Sequence, residues 1–180
     1  KPFVGVSVRN WKDTDGFAAK IADICDRISL KHDRNIVFII MQNPNDIKIS
    51  EKVRALMKCK SYTMAGKYTT SELMGVVGCS DFAICMRLHT LIFAAHMGVP
   101  TLGIIYDPKV RYYLEMLGMP AIGEVNFLDG EYAMSRIDDV VEHHEAYRAK
   151  LAERTDELRS LAEKNEQYFV EMLRQIESQN

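Results

Sequence analysis

An arginine and a histidine, Arg87 and His89, separate two apolar segments near the middle of the chain. A guanidinium group binds carboxylate or phosphate, and an imidazole can transfer a proton near neutral pH. The apolar run before them, residues 82–86, is too short for a helix and is typical of a strand buried on both faces of a parallel sheet. The segment after them places its apolar residues on one helical face, and Gly98 ends it. The two residues therefore lie where a buried strand turns into a helix.

That position is the carboxyl edge of a sheet, where open α/β folds bind their ligands. The free N–H groups and the positive dipole end of a helix start also favour an anion there. The pattern predicts an anion site with Arg87 as a ligand and His89 as an acid or base. The alternative for Arg87 is a structural arginine paired with carbonyl groups or a carboxylate, because a buried unpaired arginine is costly. The alternative for His89 is a hydrogen-bonded residue in the first helical turn.

The elements that would position these residues alternate regularly along the chain. Strands are predicted at residues 3–8, 35–41, 61–64, 81–86, 101–106 and 121–123, with helices between them. This alternation predicts an α/β fold with a doubly wound, Rossmann-like parallel sheet in the order 3-2-1-4-5-6. In that order Arg9, after the first strand, and Lys109, after the fifth, would join Arg87 and His89 around one crevice. The alternative for Lys109 is an exposed lysine in the first turn of a helix, and the role of Arg9 is equally open. No G-x-G-x-x-G follows the first strand, which argues against a dinucleotide site.

The last part of the chain, residues 131–180, is rich in charged residues. Apolar residues recur in it at helical spacing and predict a long amphipathic helix with a narrow stripe: Tyr147, Leu151, Leu158, Leu161, Tyr168 and Met172. We expect residues 1–130 to form a donor-binding domain and residues 131–180 a helical extension. The extension would pack on this domain, on another domain or on a second subunit. The chain enters its first strand almost at once, so we expect it to be a piece of a longer protein.

Composition gives little support to several classes of function. The net charge of −2 gives no indication of nucleic-acid binding, and no apolar run approaches the ~20 residues of a membrane span. The four cysteines lack metal-ligand spacing and are typical of reduced thiols in a cytoplasmic protein. No metal ligands are evident. Trp11, which follows the first strand, is interpreted as a shield for the edge of the core rather than a platform for a sugar.

Three segments together resemble a known family. They are residues 5–9 (Gly-Val-Ser-Val-Arg), the Arg-Leu-His turn at 87–89 with residues 91–94, and residues 106–109 (Tyr-Asp-Pro-Lys). Over residues 3–125 the chain resembles the polysaccharide pyruvyl transferases. More narrowly, it resembles the bacterial type that pyruvylates secondary cell wall polymers, which S-layer proteins then bind.

The resemblance implies a two-domain, glycosyltransferase-B-like fold of which this chain is the carboxyl-terminal half. It implies transfer of pyruvate from phosphoenolpyruvate to a sugar as a cyclic ketal, without a cofactor or metal. The matching residues would be Arg87, His89 and Lys109 for catalysis, with Arg9 and Leu88 binding substrate. The implied partners are phosphoenolpyruvate, a glycan acceptor on a lipid-linked cell-wall precursor, and an amino-terminal domain.

Two alternatives remain open. The chain could be the donor half of a nucleotide-sugar glycosyltransferase, in which a carboxylate such as Asp46 or Glu72 would hold the ribose. It could instead be a non-catalytic interaction module that associates with itself or another protein through a carboxyl-terminal helix from about residue 142 to 178.

Overall fold

The structure, a computed structural model, describes residues 1–12 and 14–177, and within them the side chains of all residues except Thr14, Asp15 and Glu177. The strands are β1 (Phe3–Ser7), β2 (Asn35–Ile39), β3 (Ser61–Met64), β4 (Phe82–Cys85), β5 (Thr101–Ile105) and β6 (Ala121–Glu124). The α-helices are α1 (Thr14–His32), α2 (Asn45–Leu56), α3 (Thr70–Gly78), α4 (Leu88–His96), α5 (Pro108–Leu117), α6 (Gly130–Glu142) and α7 (His144–Glu177). A single 3₁₀ turn (Val125–Phe127) follows β6.

The strands form one parallel sheet in the order β3-β2-β1-β4-β5-β6, which confirms the predicted Rossmann-like topology. All four residues of β4 are buried, as expected for a central strand covered on both faces. One core cluster packs α1, α2 and α6 against the first face of the sheet. A second cluster packs residues of α3, α4, α5 and α7 against the other face.

Local signals set the ends of several helices. Thr69 caps α3 and forms a capping box with Glu72, so this cap lies one residue before the predicted position at Thr70 or Ser71. Asp107 caps α5 and accepts a hydrogen bond from the backbone N–H of Lys109 at 3.0 Å. Gly118 ends α5 with a φ of 64°, the left-handed conformation that favours glycine. The predicted cap of α1 at Thr14 or Asp15 falls on side chains outside the described ones.

The charged carboxyl-terminal segment forms two helices, of which the second, α7, confirms the long helix predicted from about residue 142 to 178, whereas the first was not predicted. The first, α6, belongs to the domain core, because its apolar residues are buried against the sheet: Ala133, Met134, Ile137 and Val140. On α7, Leu151 is fully buried and Leu158 is partly buried against the second cluster. Beyond them the apolar residues Leu161, Tyr168 and Met172 are exposed. The first part of the segment therefore packs on this domain, and a division of the chain at residue 130 stays a prediction.

Two histidines differ from what the sequence predicts. The position of His96 among alanine and methionine predicts a core or interface residue, and the His143–His144 pair is predicted to be a solvated helix start. His96, expected in a core or an interface, is exposed on α4. His144, expected to be solvated, is partly buried, and its Nε2 lies 2.8 Å from the carbonyl oxygen of Asp81. No helix in the described ranges combines the length and apolar character needed to cross a bilayer.

Candidate functional site

The loops that follow β1, β4 and β5 meet at the carboxyl edge of the sheet, because these three strands are adjacent and parallel. The backbone N–H of Met86 donates to the carbonyl oxygen of Ser7 at 2.9 Å. The backbone N–H of Arg9 in turn contacts the sulfur of Met86 at 3.4 Å. These bonds fix the residue before Arg87 beside the loop that carries Arg9.

Arg87 is paired with Asp46, whose side chain is completely buried at the start of α2. The Nε of Arg87 donates to both carboxylate oxygens at 3.2 Å, and its Nη2 donates to the same carboxylate and to Gln42 Oε1. Asp46 also accepts backbone N–H groups from Met41 and Gln42. The charge of Arg87 is therefore compensated by a carboxylate of the protein itself, as in the alternative of a structural arginine. Whether it also binds a ligand stays a prediction.

The same pairing bears on the glycosyltransferase alternative. Asp46 is fully engaged by Arg87 and by backbone N–H groups, so it does not present a carboxylate to a ribose. Glu72 accepts hydrogen bonds from the backbone and hydroxyl of Thr69. Both carboxylates proposed for nucleotide binding therefore have structural partners.

His89 has a different environment from Arg87. It lies in the first turn of α4 and is exposed, and its ring makes no hydrogen bond to any described residue. No side chain caps the start of α4. Leu88, the first residue of the helix, is partly buried, and the hydroxyl of Thr90 is buried without a hydrogen-bond partner among the described residues. The start of α4 therefore offers N–H groups and an imidazole to a ligand.

Arg9 and Lys109 both lie near Tyr106, the first residue after β5: Arg9 contacts its ring, and Lys109 follows it by three residues in the sequence. The guanidinium of Arg9 stacks on the Tyr106 ring with 4.6 Å between its central carbon and the ring centroid. The Nε of Arg9 is buried and has no hydrogen-bond partner among the described residues. The amine of Lys109 lies 3.6 Å from Asp107, and its side chain is exposed. Both cations therefore keep donors for an anion.

Tyr106 also contacts Trp11, and together they wall a cavity of about 220 Å³. The two rings meet edge to face with their centroids 5.8 Å apart. The indole N–H of Trp11 donates to Asn126 Oδ1 at 2.8 Å. The sequence interpretation missed this cavity, because Asn126 lies far from Trp11 along the chain and carries no motif.

The described residues contain no group of three or more histidine, cysteine or acidic side chains placed to bind a metal ion. Two cysteines, Cys25 and Cys85, are buried, and burial raises the pKa of the Cys85 thiol to about 12. The hydrogen bond to Thr101 opposes this shift. Burial raises the pKa of the Cys25 thiol as well, so neither buried thiol is a nucleophile at neutral pH.

The family model described as polysaccharide pyruvyl transferase matches residues 2–108, more than half of the chain. The chain belongs to the polysaccharide pyruvyl transferase family. The region matched to the pyruvyl transferases contains Arg9, Arg87 and His89, and Lys109 follows it directly. The family resemblance seen in the sequence is therefore confirmed, whereas the narrower cell-wall type stays a prediction. A search of curated proteins finds no significant match.

Solved structures with the same fold are only distantly similar in sequence. A Listeria monocytogenes protein described as a UDP-N-acetylglucosamine 2-epimerase has a TM-score of 0.60 at 15% identity, over 84% of this chain and 40% of that one. The glycotransferase of kitacinnamycin has a TM-score of 0.54 at 13% identity, over 91% of this chain and 43% of its own. The glycosyltransferase SnogD from Streptomyces nogalater has a TM-score of 0.51 at 22% identity, over 90% of this chain and 44% of its own.

At these identities the similarities show the fold alone. The fold of this pyruvyl transferase family member is the Rossmann-like unit found in glycosyltransferase-B proteins. The chain spans less than half the length of each of these structures.

Proposed function

We propose that the protein transfers pyruvate from phosphoenolpyruvate, as a cyclic ketal, to a sugar of a cell-wall polysaccharide. The family membership carries this proposal. The cations and the uncapped helix start at the carboxyl edge support it, because phosphoenolpyruvate carries both a carboxylate and a phosphate. The chain would be the carboxyl-terminal half of the enzyme, and an amino-terminal half would complete the cleft. The acceptor would be a lipid-linked precursor in the cytoplasm.

The chemistry requires one proton donor and several cations. A proton adds to the methylene carbon of phosphoenolpyruvate, and a sugar hydroxyl forms a bond to the adjacent carbon. A second hydroxyl of the same sugar then forms the other C–O bond as the bond to phosphate breaks. The two sugar hydroxyl groups release two protons. One of them replaces the proton that was added to the methylene carbon, and the other leaves with phosphate or passes to solvent.

We assign these roles to residues by their surroundings. His89 is the candidate acid or base, because its ring is exposed and has no structural partner in the described chain. Arg9 and Lys109 would bind the anionic groups together with the N–H groups of α4. Leu88 would contact the substrate beside them. Arg87, held by Asp46, would mainly position the start of α4.

Calorimetry tests the donor specificity of the chain. Phosphoenolpyruvate should bind in a saturable manner, and uridine and cytidine nucleotides should not. Lys109→Ala should weaken phosphoenolpyruvate binding, whereas Lys164→Ala, on the exposed part of α7, should not. Binding of a nucleotide in preference to phosphoenolpyruvate would instead support the glycosyltransferase alternative.

Activity is tested in a protein that includes both halves of the cleft. Phosphate release and ketal formation on a glycan acceptor should both depend on His89. Unchanged turnover in His89→Ala would contradict the role assigned to this residue. Transfer catalysed by the 180-residue chain alone would contradict the proposed need for a second half.

The exposed face of α7 favours a second, non-exclusive function in self-association. Large apolar side chains that stay exposed on this helix are Leu161, Tyr168, Phe169, Met172, Leu173 and Ile176. Light scattering should show an oligomer that Phe169→Glu dissociates, with Glu166→Gln as the control on the same helix. A monomer in the unmodified chain would exclude this association.

A further inference from the structure

We propose that the cavity between Trp11 and Tyr106 is a subsite for a pyranose ring of the acceptor glycan. The proposal deepens the proposed function and rests on it for the identity of the ligand as an acceptor. The interpretation of Trp11 as a shield for the core describes only part of its role.

The first argument is the composition of the cavity. Two aromatic rings form part of its walls. The polar residues in the walls supply both hydrogen-bond donors and acceptors: Asp107, Arg111, Glu124 and Asn126. A sugar ring has apolar C–H faces and a rim of hydroxyl groups that both donate and accept. Aromatic walls can cover such a face while carboxylates, an amide and a guanidinium bond to the rim.

The second argument is that these groups are already held in place. Arg111 and Glu124, which both line the cavity, form a half-exposed ion pair between α5 and the end of β6. Asn126 accepts from the indole N–H and so fixes the plane of Trp11. A smaller cavity of about 80 Å³, lined by Gly16, Phe17 and Lys20, adjoins Trp11 and Asn126. A site fixed in advance loses less entropy when a ligand binds.

The third argument is position. Tyr106 lines the cavity, and the guanidinium of Arg9 stacks on its ring. Asp107 and Pro108, which complete that wall, directly precede Lys109. A sugar in this cavity would therefore lie beside the residues proposed to bind phosphoenolpyruvate.

The chain provides its own probe, because Trp11 is its single tryptophan. The 180-residue chain is titrated with the methyl glycosides of glucose, galactose, N-acetylglucosamine and N-acetylmannosamine while tryptophan emission is recorded. At least one glycoside should change the emission in a saturable manner. Glu124→Ala should weaken that binding by about tenfold, the effect of losing one or two hydrogen bonds. Tyr112→Ala, an exposed residue of α5 that does not line the cavity, should leave it unchanged.

Two results would overturn the subsite. The first is that none of the four glycosides changes the tryptophan emission. The second is that a glycoside binds equally well to Glu124→Ala and to the unmodified chain. Phosphoenolpyruvate binding, measured by calorimetry in the same variants, separates this proposal from the proposed function. Glycoside binding without phosphoenolpyruvate binding would support the subsite and contradict the proposed donor. The reverse result would support the donor and exclude the subsite.

Discussion

The guanidinium of Arg87 is paired with the carboxylate of Asp46, which is fully buried. Arg87 follows β4 and Asp46 lies in α2, so the pair spans the end of β1, which runs between β4 and β2. A buried charge that loses its partner is strongly destabilising, even where the pair itself adds little stability. The pair therefore holds two loops of the carboxyl edge in register.

Arg87→Ala should lower the free energy of unfolding by about 3–5 kcal/mol, because Asp46 would keep a buried charge without its partner. Urea unfolding followed by circular dichroism measures this change. Arg154→Ala removes an exposed ion pair with Glu157 on α7 and should leave the urea midpoint unchanged. Equal midpoints for Arg87→Ala and the unmodified chain would show that the pair has no structural role.

His89→Ala should separate activity from stability. The ring is exposed and has no hydrogen-bond partner in the described chain, so the free energy of unfolding should change by less than about 0.5 kcal/mol. Loss of a general acid or base should reduce transfer by about 10²–10⁴-fold in the complete enzyme. The measurements are urea unfolding of the chain and phosphate release by the complete enzyme. A large loss of stability together with normal transfer would show that His89 has a structural role and no catalytic one.

The contact between Tyr147 and Asp139 should make the packing of α7 on α6 sensitive to acid. The Tyr147 hydroxyl donates a hydrogen bond to Asp139, and this bond is the main cause of a lowered pKa for the Asp139 carboxyl. The charges of His143 and Arg136 lower this pKa further, whereas burial raises it. A carboxyl whose pKa is lower in the folded state stabilises that state above its unfolded pKa. This stabilisation is lost as the pH falls through the folded pKa.

Thermal unfolding between about pH 5 and 3 should therefore show a steeper loss of stability in the unmodified chain than in Tyr147→Phe. The phenylalanine keeps the ring packing and removes only the hydroxyl. Parallel pH profiles would contradict the assigned contribution of this bond. Tyr168→Phe, at an exposed position of α7, is the matched control.

Leu151 and Leu161 lie on the same helix but should differ sharply in their effect on stability. Leu151 is fully buried against the second core cluster, so Leu151→Ala should cost about 2–5 kcal/mol. Leu161 is 55% exposed, and Leu161→Ala should change stability by less than about 0.5 kcal/mol. Urea unfolding of both variants at low protein concentration tests the difference. A comparable loss in both would show that residues beyond 160 also pack on the domain.

Periodicity and turn chemistry were sufficient to predict the fold. The short apolar runs and the helices between them predicted every strand, and their alternation predicted the order of the parallel sheet. These features depend on residues close together in the chain, such as Gly118 after α5. The long helix α7 was predicted to begin near residue 142, whereas α6 was not predicted, because its charged residues continue the pattern of α7.

The sequence by itself was enough to determine the family. It was also enough to predict that Arg9, Arg87, His89 and Lys109 lie at one edge of the sheet, because the strand order determines where the parallel strands end. Only the tertiary structure decided which of their charges are already compensated. Arg87 meets Asp46, Arg9 stacks on Tyr106, and His89 has no partner within the described chain. Such pairings depend on side chains that lie far apart in the sequence and come within a few ångströms only when the loops pack, and no local pattern records them.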